Sequence, residues 1–416
     1  MSADERREGR TAWYALTVLT FVNLFNYLDR SVLGAILESL HIGLGLTDTQ
    51  LGFATSAFMI VYMLTSPIFG SLGDRRSRPR LIAFGVAIWS IATAAGGFAR
   101  GFVTLLIARA FVGVGEAAYG SIAPPLLSDH FPFERRGRVF AFFFAAIPIG
   151  SAAGFILGGL VDKAFGWRAA FMIAGAPGLL LALLALTVFD PPRGQHDPPV
   201  APKPAGEPWH VAYRHLFKNS PYLLTVLGYA AYTFGLGALV AWMPAFLIRV
   251  RHMSGEDATI TFGEIAVATG FVGTFIGGRI GDYFLKFTPR SYLWVSGITT
   301  ILAVPATYVA LTSPDRSVFI PAMVVGELLL FASTGPVNSA ISNAVSPTER
   351  ATAFGLSVFI MHLLGDVPSA PLIGFVSDRS DLAHALLMVP IAIAVGGIIW
   401  TFAAWHGGRG EPIATT

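Results

Sequence analysis

Long apolar runs alternate along the chain with short polar segments and with glycine and proline punctuation. A membrane-crossing helix takes about 20 mainly apolar residues, each rising about 1.5 Å. Twelve runs reach that length, at 12–36, 50–73, 80–98, 102–128, 138–161, 168–189, 221–248, 262–285, 291–311, 318–345, 352–376 and 383–405. The first follows a charged head, Asp4 to Arg10, as a secretory signal would. It continues apolar well past a signal's short core, with no small-residue cleavage site before the next run, and so predicts a retained first helix.

Composition sharpens this picture. Of 416 residues, 54% are apolar and only 13% charged, where an ordinary soluble domain carries about 25% charged residues. Mean hydropathy is +0.63. The 45 glycines and 26 prolines are too few for a collagenous or disordered chain. A soluble enzyme, a nucleic-acid binder and a disordered chain are thereby excluded, and lipid is the solvent that accepts so much apolar surface. Without cysteine there is no disulfide framework, no thiol nucleophile and no Cys-ligated metal. The sequence has no Gly-x4-Gly-Lys-Ser/Thr phosphate loop, no His-Glu-x-x-His helix, no arginine ladder and no Thr-Val-Gly-Tyr-Gly filter. That argues against an ATP-driven pump, an intramembrane zinc protease and a voltage-gated channel. Neither a cofactor nor a metal is expected.

Twelve spans put both termini on one side, and basic residues choose the side. The terminus-side segments carry 18 Lys and Arg, the opposite loops 7, which predicts cytoplasmic termini in a multi-pass protein of a bacterial-type inner (plasma) membrane. The proline-rich stretch from Asp190 to Ser220 reads as a cytoplasmic linker at 190–220 between two six-helix bundles, 1–189 and 221–416. An internal repeat supports the division. Gly70-Ser-Leu-Gly-Asp74 is echoed by Gly278-Arg-Ile-Gly-Asp282, 208 residues on, and Glu134-Arg135 by Glu349-Arg350, 215 residues on. The expected fold is all-α and integral to the membrane, with 12 transmembrane helices in two pseudo-symmetric bundles. Duplicated halves of this kind place a transported substrate at their interface.

Ionisable groups inside the spans are functional candidates, because each is costly in lipid. The first span holds Asp29 and Arg30, and the fourth holds Arg109 and Glu116. The spacing of seven puts Arg109 and Glu116 on one helix face about 10 Å apart, too far to pair, so each is expected to seek a partner from the first helix. Gly113 and Gly115 are expected to let that helix approach. Two readings stand open: a static ion-pair network that registers helices, or a proton site. A desolvated carboxylate takes a proton more readily, and a nearby arginine opposes it. A change in carboxylate–arginine distance then couples protons to conformation, with Glu116 or Asp29 as the proton site and Arg109 modulating it.

In the second half, His362 and Asp366 lie one turn apart beside Pro368, able to relay protons, to hold a polar substrate group or simply to satisfy one another. Glu327 has no obvious partner in sequence, and either faces the cavity or pairs with Arg279. Tyr229, Tyr232, Thr233 and Phe234, with Thr269 and Phe271, would make an aromatic, lightly polar wall for an amphiphile whose anionic head rests on Arg30 or Arg109. Between the second and third spans, Gly70, Asp74 and Arg75 suggest a cytoplasmic gate in which Asp74 pairs with Arg138.

The loop Gly70-x3-Asp74-Arg75 and the helix-four run Arg109-x3-Gly113-x-Gly115 resemble motifs of the major facilitator superfamily, with Ser77 where that family usually has glycine. A closer resemblance is to its Spinster subfamily, the sphingolipid and lysophospholipid transporters. It rests on Asn26-Tyr-Leu-Asp-Arg30, on the stretch Ala108 to Pro124, on Ala145 to Ser151, on Asp190-Pro-Pro-Arg193 and on His362-Leu-Leu-Gly-Asp366. The resemblance implies alternating access and movement of an amphiphile with a charged head. It matches Asp29, Arg30, Arg109 and Glu116 to positions concerned with coupling and recognition. The leading expectation is a proton-coupled secondary transporter, not an enzyme, moving a lysophospholipid- or sphingolipid-like substrate. The competing expectation is a proton symporter of a small organic anion or sugar acid. The expected partners are that substrate, protons and membrane lipids, with no nucleic acid, and the expected state is monomeric.

Overall fold

The computed structural model describes residues 3–131, 133–193, 195, 209–345 and 350–406. Its helices in chain order are α1 (Ala3–Ala35), α2 (Leu37–Leu44), α3 (Asp48–Arg75), α4 (Arg78–Gly96), α5 (Phe102–His130), α6 (Phe133–Phe165) and α7 (Trp167–Leu186). They continue with α8 (Trp209–Lys218), α9 (Ser220–Arg249), α10 (Gly255–Phe284), α11 (Ser291–Thr312), α12 (Arg316–Asn343) and α13 (Arg350–Met361). A π-helical turn, His362–Asp366, leads into α14 (Val367–Ser377), followed by α15 (Leu382–Leu386) and α16 (Met388–His406).

Among the described residues, eleven helices are long and apolar enough to cross a membrane. The first predicted span, α1, runs 33 residues against α6 and α7 but is more polar, because Asn23, Asn26, Asp29 and Ser31 are buried in it. Helix starts follow local chemistry. Thr47 and Gln50 form a reciprocal cap on α3, the Gln50 amide donating to Thr47 Oγ1 at 3.3 Å and the Thr47 amide to Gln50 Oε1 at 3.0 Å. Prolines 67, 124, 125, 148, 177 and 244 lie inside helices, as membrane helices tolerate. Exposed Phe84, Phe98, Phe111, Leu180 and Leu183 are side chains that lipid would cover.

The eleventh predicted span is not one α-helix. Pro368 has no N–H for the ladder, and in the turn before it the Val367 amide reaches back five residues to the His362 carbonyl. The stretch at 190–220 is not all linker either. Its last part is α8, seated by Leu216, which is buried with Tyr222, Val226 and Ile341.

The chain forms two compact units. One comprises Met1–Lys203 with Ala241–Val267. Its core gathers Leu16, Leu19, Val22, Val86, Trp89, Tyr119 and Phe143. The end of α9 and the start of α10 belong to it. Arg249 of α9 pairs with Glu38 and donates to both oxygens of Asp48 at 2.8 Å. Lys163 of α6 pairs with Glu256 of α10, and the rings of Phe155 and Phe262 meet edge to face at 4.8 Å. The other unit comprises Pro204–Val240 with Ala268–Thr416. There Trp400 of α16 lies 5.6 Å from the Tyr232 ring and donates to the Thr225 carbonyl at 2.9 Å.

Candidate functional site

The first unit buries four charges in the middle of its helices. Helix geometry sends the adjacent Asp29 and Arg30 of α1 to different neighbours. Arg30 turns to α5, its Nε donating to Glu116 Oε2 at 2.6 Å, with Arg30 one-fifth exposed and Glu116 fully buried. The Arg30 guanidinium also sits 4.9 Å from the Tyr27 ring, 5.3 Å from Phe58 and 5.4 Å from Tyr62. Aromatic faces of this kind stabilise a cation partly removed from water. Asp29 turns to α4, where the Thr93 hydroxyl donates to its Oδ2.

Arg109 is the unusual member. It is 1% exposed, it lies 4.9 Å above the Phe58 ring, and among the described residues none of its three guanidinium nitrogens has a protein hydrogen-bond partner. One oxygen of Asp29 and one of Glu116 are likewise buried without a protein donor. Buried donors and acceptors are normally satisfied, so this concentration singles the cluster out as the candidate site.

Two expectations about this cluster fare differently. The first helix does supply the partner of Glu116, namely Arg30, but among the described residues it gives Arg109 no hydrogen-bond partner, against expectation. Gly113 and Gly115, however, do not seat α1. A β-carbon at Gly113 would strike the Phe58 carbonyl of α3, and one at Gly115 would lie 2.6 Å from the Trp89 amide nitrogen of α4. These glycines draw α3 and α4 onto α5, which delivers Phe58 and Tyr62 to the arginines. The close approach of α1 is instead to α6, where Gly150 and Gly154 lie against the Leu24 and Leu28 carbonyls.

In the second unit, His362 Nδ1 lies 2.9 Å from both oxygens of Asp366, and both side chains are partly exposed. Gly237 of α9 permits this turn to pack closely, since a β-carbon there would lie 2.7 Å from Asp366 Cβ. Thr233 is buried, its hydroxyl donating to the Ala230 carbonyl at 3.0 Å and facing the Met361 carbonyl at 3.4 Å. Tyr232 is 1% exposed, its hydroxyl donating to the Leu330 carbonyl at 3.0 Å. It is a packing residue against Trp400 and forms no open wall. Tyr229 lies 6.0 Å from Tyr232 and 6.3 Å from Trp400, ring to ring. Phe271 is 46% exposed. The pairing of Glu327 with Arg279 does not form: Arg279 stacks 4.4 Å over Phe275, and Glu327 accepts from Thr269.

Of the expected gate, Gly70 lies in α3 with open space beside it and Arg75 ends that helix exposed. The side chains of Asp74 and Arg138 lie outside the described residues. The neighbouring Arg78, read from sequence as one more topology charge, is 3% exposed and organises this end of the unit. It pairs with Asp129, donates from Nε to Asp190 at 2.7 Å, and reaches the Pro191 carbonyl at 2.6 Å. Arg193 in turn donates to the Gly73 and Arg76 carbonyls at 2.7 and 2.8 Å, capping the end of α3. Thr93 and Phe58 also escaped the sequence reading. The signal for Thr93 was a polar residue inside an apolar run. For Phe58 there was none beyond its place one turn before Tyr62.

Among the described residues no group of His, Asp and Glu is arranged to hold a metal ion. The sequence profile of the Major Facilitator Superfamily matches residues 19–367. Protein spinster homolog 1 of Mus musculus is 34% identical over 387 residues, covering 88% of this chain and 72% of its own. Its Homo sapiens counterpart is 34% identical over 394 residues, covering 89% and 74%. In fold, the chain superposes with a TM-score of 0.86 and 24% identity on a bacterial homolog of the human lysosomal transporter Spinster, in an inward-facing and unoccupied conformation, over 95% of this chain and 97% of the other. A D-xylose–proton symporter gives a TM-score of 0.76 at 16% identity, over 96% and 98%. The helical architecture, the profile and the relatives agree: the chain belongs to the major facilitator superfamily, in its Spinster subfamily, and is a twelve-helix alternating-access transporter and not an enzyme.

Proposed function

We propose that this transporter couples a proton to the movement of an amphiphile with an anionic or zwitterionic head, of the lysophospholipid or sphingolipid type. The observation that carries the reading is Arg109, a fully buried guanidinium whose three nitrogens have no protein acceptor among the described residues. Guanidinium is the group best shaped to take a phosphate or carboxylate through two parallel hydrogen bonds. Beside it, Asp29 and Glu116 balance Arg30 and Arg109, so the cluster is neutral when both acids are ionised.

Protonation of Glu116 removes the charge that holds Arg30 at 2.6 Å. Arg30 is then released with Arg109 to bind an anion, and the cluster's charge rises by one to match it. Asp29 is the second acid of the same couple, tied to α4 through Thr93. The two six-helix halves, 1–189 and 221–416, alternate the access of the substrate between the two sides of the membrane. Within the second unit, His362 and Asp366 are the groups able to hold a polar part of the substrate, and Tyr229 and Phe234 those able to flank an apolar chain. Tyr232 and Thr233 contribute by fixing α9. Both termini face the cytoplasm of a bacterial-type inner membrane, following the bias in basic residues, and the working unit is the monomer.

The test is flux into proteoliposomes under an imposed pH gradient. Labelled lysophospholipid or sphingoid phosphate should accumulate, lysolipid should compete, and small organic anions should not. Glu116→Gln and Asp29→Asn should each abolish the dependence on the gradient. Full gradient-driven uptake by both variants, or accumulation of hydrophilic anions indifferent to lysolipid, would overturn the proposal.

A further inference from the structure

The second unit has a buried acid of its own. Glu327, in the middle of α12, is 4% exposed. Its Oε2 accepts a hydrogen bond from the Thr269 hydroxyl of α10 at 3.2 Å, and among the described residues its Oε1 meets no protein donor. No described cation pairs with it. Arg279, ten residues along α10 from Thr269, is engaged with the Phe275 ring.

Among the described residues, the neighbouring helices offer only neutral groups. From α9 comes the Tyr232 phenol, which donates to the Leu330 carbonyl. From α11 comes the Thr307 hydroxyl, next to Gly326. From α10 comes Thr269. The seam between α10 and α12 is closed immediately beyond Glu327: a β-carbon at Gly273 would lie 2.6 Å from the Leu328 carbonyl oxygen, and one at Gly277 would strike that of Ala332.

A carboxylate in such a place would be a desolvated charge with one hydroxyl for company, an arrangement that proteins and membranes both penalise heavily. The neutral acid removes that penalty and keeps the Thr269 hydrogen bond. We propose that Glu327 and Thr269 form a second proton-binding site, in which Glu327 is carried as the carboxylic acid while the α10–α12 seam is closed. Loss of its proton places an uncompensated charge in the seam and forces α10 and α12 to part or to admit water. The site lies wholly in the second unit. It depends neither on Asp29 and Glu116 nor on the identity of the substrate.

Infrared difference spectroscopy on the purified transporter tests this directly, because only a protonated carboxyl shows a carboxylic C=O stretch. The wild type should show such a band near neutral pH. Glu327→Gln should abolish it, and Thr269→Val should shift it upward by removing the donor. The Asp29→Asn/Glu116→Gln double variant should retain it, which separates this outcome from the fate of the proposed function. Thermal unfolding supplies a second readout: the wild type should lose stability relative to Glu327→Gln as pH rises. The proposal is overturned if no band is lost in Glu327→Gln, if Thr269→Val leaves the band unmoved, or if the two stability profiles run parallel across pH.

Discussion

Replacing Glu116 by Gln keeps the shape of the side chain and removes its charge, leaving Arg30 and Arg109 buried with Asp29 alone to balance them. At the observed 2.6 Å, and an effective dielectric constant of about 20, the Arg30–Glu116 attraction is about 6 kcal/mol before desolvation is subtracted. Removing one partner of a buried pair costs about 3–5 kcal/mol, chiefly because the other charge is stranded. Arg30 keeps its contacts with Tyr27, Phe58 and Tyr62, worth about 0.5–2 kcal/mol in such settings, so the loss should fall near about 3 kcal/mol. Arg30→Met should lose a similar amount. The Arg30→Met/Glu116→Gln double variant should lose much less than the sum, giving a coupling energy of about 2–3 kcal/mol. Tryptophan fluorescence during SDS titration in mixed micelles measures this, and the chain's eight tryptophans supply the signal. Additivity within about 0.5 kcal/mol would show that the pair is not a coupled unit and refute the reasoning.

Arg109 predicts a different balance: Arg109→Met should cost less stability than Glu116→Gln, because it loses no protein hydrogen bond and gives up only the through-space balance of the buried acids and the Phe58 contact. Uptake of an anionic substrate should nevertheless fall about 10- to 100-fold, the equivalent of one charge-assisted hydrogen bond; a stability collapse with normal uptake per folded molecule would contradict it. Gly277→Ala should cost about 1–3 kcal/mol, since the added methyl meets the Ala332 carbonyl and must push α10 from α12, and the same SDS titration reads it. Asp381, outside the spans, is held below the usual carboxylate range by the His384 amide at 2.9 Å. Its contribution to the α15 cap should therefore be present above about pH 4 and disappear as pH falls further, which amide exchange across Leu382–Leu386 would detect.

Much of the architecture was legible because lipid imposes a simple rule: a crossing segment must be long, apolar and helical. The span at 50–73 became α3 with two residues added at each end, which is the reach of the Thr47 cap and of Arg75. Charges inside the spans pointed to Asp29, Arg30, Arg109 and Glu116, because ionisable groups at that depth are costly and must find partners. Sequence could not say which face each glycine presents. Gly113 and Gly115 are two residues apart, so their faces differ by about 200°, and only the packing of α3 and α4 decides which helix each one meets. Aromatic residues misled in the same way. Tyr232 looked like a cavity residue because it is polar at its tip, yet a backbone carbonyl at Leu330 satisfies that tip inside the core. Arg78 was hidden for a different reason. Its partners Asp129, Asp190 and Pro191 lie 51 to 113 residues away, beyond any local pattern.

The widened turn at His362–Asp366 leaves α13 and α14 out of phase. A wheel drawn through 352–376 as one uninterrupted helix therefore misplaces every position after the turn by roughly 100°, about one residue's rotation. The absence of native cysteine makes this chain a clean background for thiol labelling, one substituted site at a time. In such a scan, reactivity should follow one rhythm up to Met361 and resume after Asp366 with the same period and a displaced origin. Removing a single amino acid from the turn should bring the two rhythms back into step.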